Sequence, residues 1–432
     1  MKRLVFLLFL FCTTAWAHTF HGAAMAPNTL KGWVATSDTC LVFYTPDCGI
    51  NWINQSLNSY ILRSCYDVFF LDEQKGWVST DQGCVYNTEN GGLNWTRQVY
   101  GLSYYSYRLF FIDSSYGWVG CEAAFIGRTT NGGNFWEQLC LPYPPFHVDT
   151  IDVWGVSFVA RQKGWICTGR YIHPMYPQDT FFGGQGFIAT SIDSGLNWQL
   201  LRRDTIYDFF DIKMLDTLNG FVVGGNDRTM SANVMRTYNG GNTWQPVTIP
   251  SQAKYLRSIK FVGNHAWAVG HNGTIIHSNN DGNTWQMQTS NVNTTLYDVD
   301  FADTLHGLIA GDSYVLYTYN SGNTWNIANV GIEEESSTLN AIHSMLEIYP
   351  NPVKSLTVVR YSLPAEGNVS LQFFDISGRL VKTLDNEYKN AGNYSVIWNG
   401  TDDNNGKVCE GVYFCILRTN GKNLQKKLMI VK

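Results

Sequence analysis

Apolar and polar residues along this chain repeat one phrase. A strand-length apolar run with polar positions interleaved comes first, as in Tyr66-Asp-Val-Phe-Phe-Leu-Asp and Tyr107-Arg-Leu-Phe-Phe-Ile-Asp. A polar turn follows, then a short apolar stretch headed by a small residue: Gly76-Trp77-Val78, Gly117-Trp118-Val119, Gly164-Trp165-Ile166, Gly220-Phe221-Val222, Ala266-Trp267-Ala268 and Gly307-Leu308-Ile309. Runs of this length, rich in β-branched and aromatic residues and bounded by Gly, Asn and Asp, predict strands. No segment has helical periodicity. The copy upstream of Gly32-Trp33-Val34 is weak, so the first strand of that copy is poorly defined.

A second motif keeps phase with the first: Ser or Thr, any residue, Asp or Asn, any residue, Gly, two residues, Trp. Its acidic or amide residue and its Trp are Asp47 and Trp52, Asn90 and Trp95, Asn131 and Trp136, Asp193 and Trp198, Asn239 and Trp244, Asn280 and Trp285, Asn320 and Trp325. Successive Trp spacings are 43, 41, 62, 46, 41 and 40 residues. A period near forty matches one four-stranded propeller blade, so the chain is expected to be all-β, with a seven-bladed β-propeller over 18–330. The motif has a mechanical reading. The Asp or Asn oxygen accepts from amides of its own turn, Gly takes a positive φ, and the hydroxyl adds a local bond. The Trp is expected to bury a large surface between blades.

The repeat resembles the Asp-box, or bacterial neuraminidase, repeat, and in particular the seven-bladed propellers of photosystem II assembly and stability factors. That resemblance implies a scaffold role for the box residues and carries no activity with it. A sialidase would show Arg-Ile-Pro in its first blade, and that tripeptide is absent.

The two ends add sorting information. Lys2-Arg3, the apolar run Leu4 to Cys12 and Ala15-Trp16-Ala17 make a secretory signal over 1–17, too short for a membrane span. Residues 331–345, with Glu333-Glu334-Glu335, are expected to be a linker. Over 346–432, short alternating strands with turns at Ser377-Gly378 and Asn404-Asn405-Gly406 predict an immunoglobulin-like β-sandwich. Tyr349-Pro350-Asn351-Pro352, Asp375-Ile-Ser-Gly378-Arg379, Gly392-Asn-Tyr394, Gly411-Val-Tyr413-Phe414 and the closing Lys426 to Lys432 resemble the type A C-terminal sorting domain of the type IX secretion system. The resemblance implies that this machinery is a partner, with delivery to the cell surface or medium.

Composition narrows the rest. A net charge of −5 argues against a nucleic-acid surface. Beyond Cys12, nine cysteines remain, an odd number, and Cys409 and Cys415 are possible partners. There is no Cys/His cluster at zinc spacing, so neither a metal nor another cofactor is expected.

Box turns and variable loops should lie on opposite faces, and extra length falls in the latter. Tyr104 and Tyr105 precede the third blade. Tyr143, Phe146 and His147 fall in the stretch Gln138 to Asp152. Tyr171, His173, Tyr176, Asp179 and Phe182 fall between Arg170 and Gly186, and Asp227 and Arg228 in the fifth blade. Aromatic faces with polar tips suit a protein or glycan ligand, unless the loops bury those rings over their own blades. The alternatives are a glycoside hydrolase, for which Asp149, Asp152, Asp179, Asp204 and Asp227 are available acids but no pair stands out, and an assembly factor for an envelope complex. No catalytic residue is assigned.

Overall fold

The computed structural model describes residues 18–55, 57, 64–98, 105–141, 151–170, 186–226, 228–330, 346–349, 351–353, 356–363, 366–390, 392–404, 406–419 and 422–431. The signal segment and the linker lie outside this set. The chain divides into two compact units, at Ile332 and Glu333.

In the first unit, the described residues form seven antiparallel four-stranded sheets, each built from four consecutive strands. The inner strands are Phe20–Met25, Cys65–Phe70, Ser106–Phe111, Ile151–Phe158, Asp208–Met214, Leu256–Val262 and Leu296–Phe301. The weak first copy therefore does form an inner strand. Gly22 sits within it because the second blade comes too close for a side chain: a Cβ there would lie 2.8 Å from the Asp67 Cα.

The ring closes without exchanging a strand. Blade one and blade seven are each complete, and they are joined by hydrogen bonds. Asp298 accepts from the Ala23 amide at 3.0 Å, and Asp300 from the Met25 amide at 2.7 Å. The Ser313 amide donates to the His18 carbonyl, and Tyr319 donates to the Asp47 carbonyl.

All seven box turns have the same geometry. The Ser/Thr oxygen accepts from the box Gly amide at 2.8–3.0 Å. The Asp or Asn Oδ1 accepts from the amide four residues later at 2.8–3.0 Å. Asn and Asp are interchangeable because only one oxygen is needed. Each box Gly has φ between +72° and +99°, the left-handed region that favours glycine.

Contact between blades falls chiefly to the second-strand Trp rather than to the box Trp. Trp33, Trp77, Trp118 and Trp267 stack face to face, at 3.5–3.6 Å between centroids, on Phe70, Phe111, Phe158 and Phe301 of the next inner strand. Their indoles donate to carbonyls of the next blade's box turn, Gly91, Gly132, Ser194 and Ser321. Trp95, Trp136, Trp198 and Trp325 then meet those same phenylalanines edge-on, within their own blade. Each phenylalanine is thus clamped between two tryptophans.

The second unit has two sheets. One orders Leu346–Tyr349, Thr357–Leu363 and Gly392–Trp398; the other orders Leu380–Lys389, Gly367–Asp375, Gly411–Thr419 and Lys422–Ile430. Its core contains Tyr361, Phe373, Trp398, Tyr413, Cys415 and Leu417.

The disulfide expectation is corrected. Among the described residues the bond joins Cys40 to Cys65, linking blades one and two, and both Cys409 and Cys415 are free. Cys415 points into the sandwich core with its neighbours Tyr413 and Leu417, whereas Cys409 is exposed. Cys409 precedes the strand Gly411–Thr419, whereas Cys415 lies within it among core side chains.

Candidate functional site at the channel mouth

Every inner strand carries a β-bulge at one equivalent position. The pairing register slips at His21, Tyr66, Tyr107, Trp154, Phe210, Arg257 and Tyr297. A bulge breaks the strict alternation of a strand and re-aims a side chain. Here all seven side chains line one depression at the mouth of the central channel. They touch in sequence around the ring. Tyr297 stacks on His21 at 4.4 Å, and His21 meets Tyr66 edge-on at 5.6 Å. Tyr66 meets Tyr107 at 5.2 Å, Tyr107 stacks on Trp154 at 4.3 Å, and Trp154 leans on Phe210 at 5.5 Å. The Arg257 guanidinium lies 4.1 Å over Phe210 and donates to His271 at 3.2 Å. His21 is kept neutral, with its pKa lowered to about 4, by burial first and then by Arg257 and Arg108.

The next residue of each strand forms a second ring below the first: Gly22, Asp67, Arg108, Gly155, Asp211, Ser258 and Asp298. Arg108 donates to Asp298 at 2.8 Å and lies about 4 Å from Asp67 and Asp211. Each acid also ties its blade to the following one: Asp67 accepts from the Leu109 amide, Asp211 from the Ile259 amide and Asp298 from the Ala23 amide. Ser258 donates to Asp298 at 2.7 Å. Burial raises the Asp67 pKa to about 8, against the pull of Arg108 and with a push from Asp298. Burial also raises that of Asp211. Burial pulls the Arg108 pKa down, but Asp298, Asp211 and Asp67 outweigh it and hold that pKa well above the ordinary value.

This second ring is a plug. The space left above it is about 30 Å³, room for roughly two waters. Its acids are occupied by amides, Ser258 and Arg108. Rim exposure is uneven. Tyr107, Trp154 and Phe210 are buried, while Arg257, Tyr297, His21 and Tyr66 are half-buried and contiguous over blades six, seven, one and two. Tyr105, 42% exposed, extends that arc 6.0 Å from Tyr66.

Of the residues singled out from sequence, Tyr105 thus joins the mouth. Arg228 is exposed in a turn capped by Asn226, in the connection between strands two and three of blade five. Tyr104, Tyr143, Phe146, His147, Tyr171, His173, Tyr176, Asp179, Phe182 and Asp227 lie outside the described residues, as does Asp149. Of the remaining candidate acids, Asp152 accepts from the Ala123 amide and its pKa is raised to about 7, by burial. Asp204 is bound by Arg202 and the amides of Ile206 and Tyr207.

Sequence reading missed both rings. Their signal was present in Tyr66-Asp67-Val, Phe210-Asp211-Ile and Tyr297-Asp298-Val, the same acid at the same place in three apolar strands.

Comparison with known proteins agrees with this architecture. Residues 17–104 and 190–292 match the family described as photosynthesis system II assembly factor YCF48, and 347–431 match the secretion system C-terminal sorting domain. The propeller is thus similar to the photosystem II assembly factor repeat over part of its length, and the tail matches a type IX sorting domain. The photosystem II stability/assembly factor HCF136 of Oryza sativa subsp. japonica is 26% identical over 133 residues, 29% of this chain, and the match spans 30% of that relative's length. The structure of YCF48 bound to D1 peptide superposes with a TM-score of 0.53 at 16% identity, over 70% of this chain and 94% of that one. The GH74 enzyme of Niastella koreensis gives 0.56 at 11% identity, over 96% of this chain and 73% of that one. At these identities both structures speak for the fold alone.

The sorting tail makes this a protein secreted to the cell surface or the extracellular space, handled by type IX machinery. No helix among the described residues is long and apolar enough to cross a membrane.

Proposed function

We propose that this chain is an exported recognition scaffold that binds a segment of a partner protein across the half-buried arc of its channel mouth. The observation that carries the reading is the contiguous run Arg257, Tyr297, His21, Tyr66 and Tyr105, aromatic faces with polar tips set on rigid strands above a charged plug. Such rings supply contact area at low entropic cost, and Arg anchors polar backbone or carboxylate groups. YCF48, whose fold is similar, has been solved with a D1 peptide bound, which supports a peptide as the ligand class. The long connections with Tyr143, Phe146, His147, Tyr171, His173, Tyr176, Asp179, Phe182, Asp227 and Arg228 are proposed to widen the same surface and set its choice of partner.

The test is affinity capture from surface extracts of the producing cells with the mature chain and with a Tyr66→Ala/Tyr297→Ala/Arg257→Ala variant. Partners retained by the first and lost by the second support the reading. Equal recovery, with the variant's fold confirmed by circular dichroism, overturns it. A glycan array run in parallel distinguishes a sugar ligand.

A further inference from the structure

Below the plug the channel changes character. Two residues beyond the second ring, toward the box face, the inner strands of blades two to seven carry Phe69, Phe110, Ser157, Lys213, Lys260 and Asp300. All of these but Ser157 are half-buried, while their strand neighbours on either side are buried, so water reaches the channel side of the strands at this level. Lys213 extends furthest. Its Nζ lies 5.7 Å from the ring centroid of Phe110. Phe110 belongs to blade three, so the side chain spans blade four, whose residue at this level is the small Ser157. Among the described residues the Lys213 amine makes no hydrogen bond or ion pair. The acids near it are taken. Asp300 accepts from Lys260 and from the Met25 amide, and Asp211 from Ser258 and the Ile259 amide, with Arg108 beside it.

We propose that Lys213 is a nucleophilic amine that captures a small aldehyde as a Schiff base inside the channel, reached from the box face. A lysine set against an aromatic ring and beside a second ammonium, with no acid of its own, is held in the arrangement that leaves an amine uncharged and reactive. Burial first, and then Lys260, lowers the Lys213 pKa to about 8, against the opposing pull of Asp211 and Asp300. The ammonium of Lys260 keeps its charge on Asp300 and so does not compete as a nucleophile. In the reaction the Lys213 nitrogen attacks the carbonyl carbon, and the carbonyl π pair passes to oxygen. The carbinolamine then loses that oxygen as water, together with the two hydrogens of the amine, and a C=N bond remains. No oxidant or reductant is consumed. The bore is narrow enough for one lysine side chain to cross it, which favours a short aldehyde over a bulkier carbonyl compound.

The experiment treats the mature full chain with glycolaldehyde and sodium cyanoborohydride, which reduces the imine to a stable secondary amine, and follows each lysine by peptide mass spectrometry. At pH 7 Lys213 should be modified at least tenfold faster than the exposed Lys407 and Lys426, with a rate that climbs to half its maximum near pH 8. Lys260→Gln removes the neighbouring cation and uncovers Asp300, so it should slow modification of Lys213 severalfold, with the variant's fold confirmed by circular dichroism. Modification of Lys213 no faster than that of the exposed lysines, or indifferent to Lys260→Gln, overturns the proposal and leaves Lys213 a cation packed on Phe110. The plug lies between Lys213 and the mouth, so failure of partner binding at the mouth would not affect this result.

Discussion

Asp298 in the seventh inner strand accepts a hydrogen bond at 3.0 Å from the amide of Ala23 in the first. The two residues are 275 positions apart, and their bond fastens the last blade to the first. The same carboxylate takes the Arg108 guanidinium and the Ser258 hydroxyl. Removing it leaves a buried guanidinium short of a partner and an amide unsatisfied. Asp298→Ala should therefore cost about 3–5 kcal/mol. Asp300→Ala, which frees the Met25 amide and Lys260 at a more solvated site, should cost about 1–3 kcal/mol. Urea denaturation gives both values. Hydrogen exchange at the Ala23 and Met25 amides should quicken before exchange elsewhere in blades three to five.

The plug also makes stability depend on pH. Burial raises the Asp67 carboxyl well above its ordinary value of 3.8 in the folded chain. Between the ordinary and the raised value the folded state holds a proton that the unfolded state has released. Stability from this group is thus greatest below the unfolded value, falls as pH rises through the window and levels off above the folded one. Asp67→Asn removes that contribution. Urea midpoints measured at about pH 5, 7 and 9 should fall less steeply for the variant than for the wild type.

The second-strand tryptophans predict a graded loss. Trp118 stacks on Phe158 at 3.5 Å and donates to the Ser194 carbonyl at 2.8 Å. Trp118→Phe keeps most of the stack and loses the donor, for a cost of about 1–3 kcal/mol. Trp118→Ala loses both, for about 3–5 kcal/mol. Blade five already carries Phe221 at the corresponding position, so the scaffold tolerates the smaller change.

One substitution should stabilise. Ala123 and Ala124 both hold positive φ, +56° and +60°, in the turn between strands two and three of blade three. The Ala123 bond to Asp152 and the Ala124 bond to Ile151 keep them there. A side chain in this region costs about 1–2 kcal/mol. Ala124→Gly should recover about 0.5–1 kcal/mol after the added freedom of the unfolded chain is counted, and a rise in melting temperature reads it.

The blades and their boxes were legible because their interactions are local. A Thr oxygen and the Gly amide four residues on need no knowledge of the rest of the ring. The sandwich strands were legible through alternation, and the last of them runs Lys422–Ile430. Alternation failed where it mattered for the site. Tyr66 and Asp67 are adjacent and would point to opposite faces of a regular strand, yet a bulge turns both toward the channel. A bulge depends on how the partner strand pairs, and the chain's own pattern does not record it. The Cys40–Cys65 bond was hidden for a similar reason, since it links neighbouring blades through the packing of the ring.

The channel mouth, and not the box face, is the surface proposed to engage partners. A photoreactive aromatic side chain installed at Tyr66 reports on the mouth, and the same group at Tyr238, 54% exposed and adjoining the box residue Asn239, reports on the opposite face. Irradiation of each chain on its native cell surface should give a discrete covalent adduct with the Tyr66 probe and none with the Tyr238 probe. Adducts confined to Tyr238, or equal at the two positions, would contradict the account.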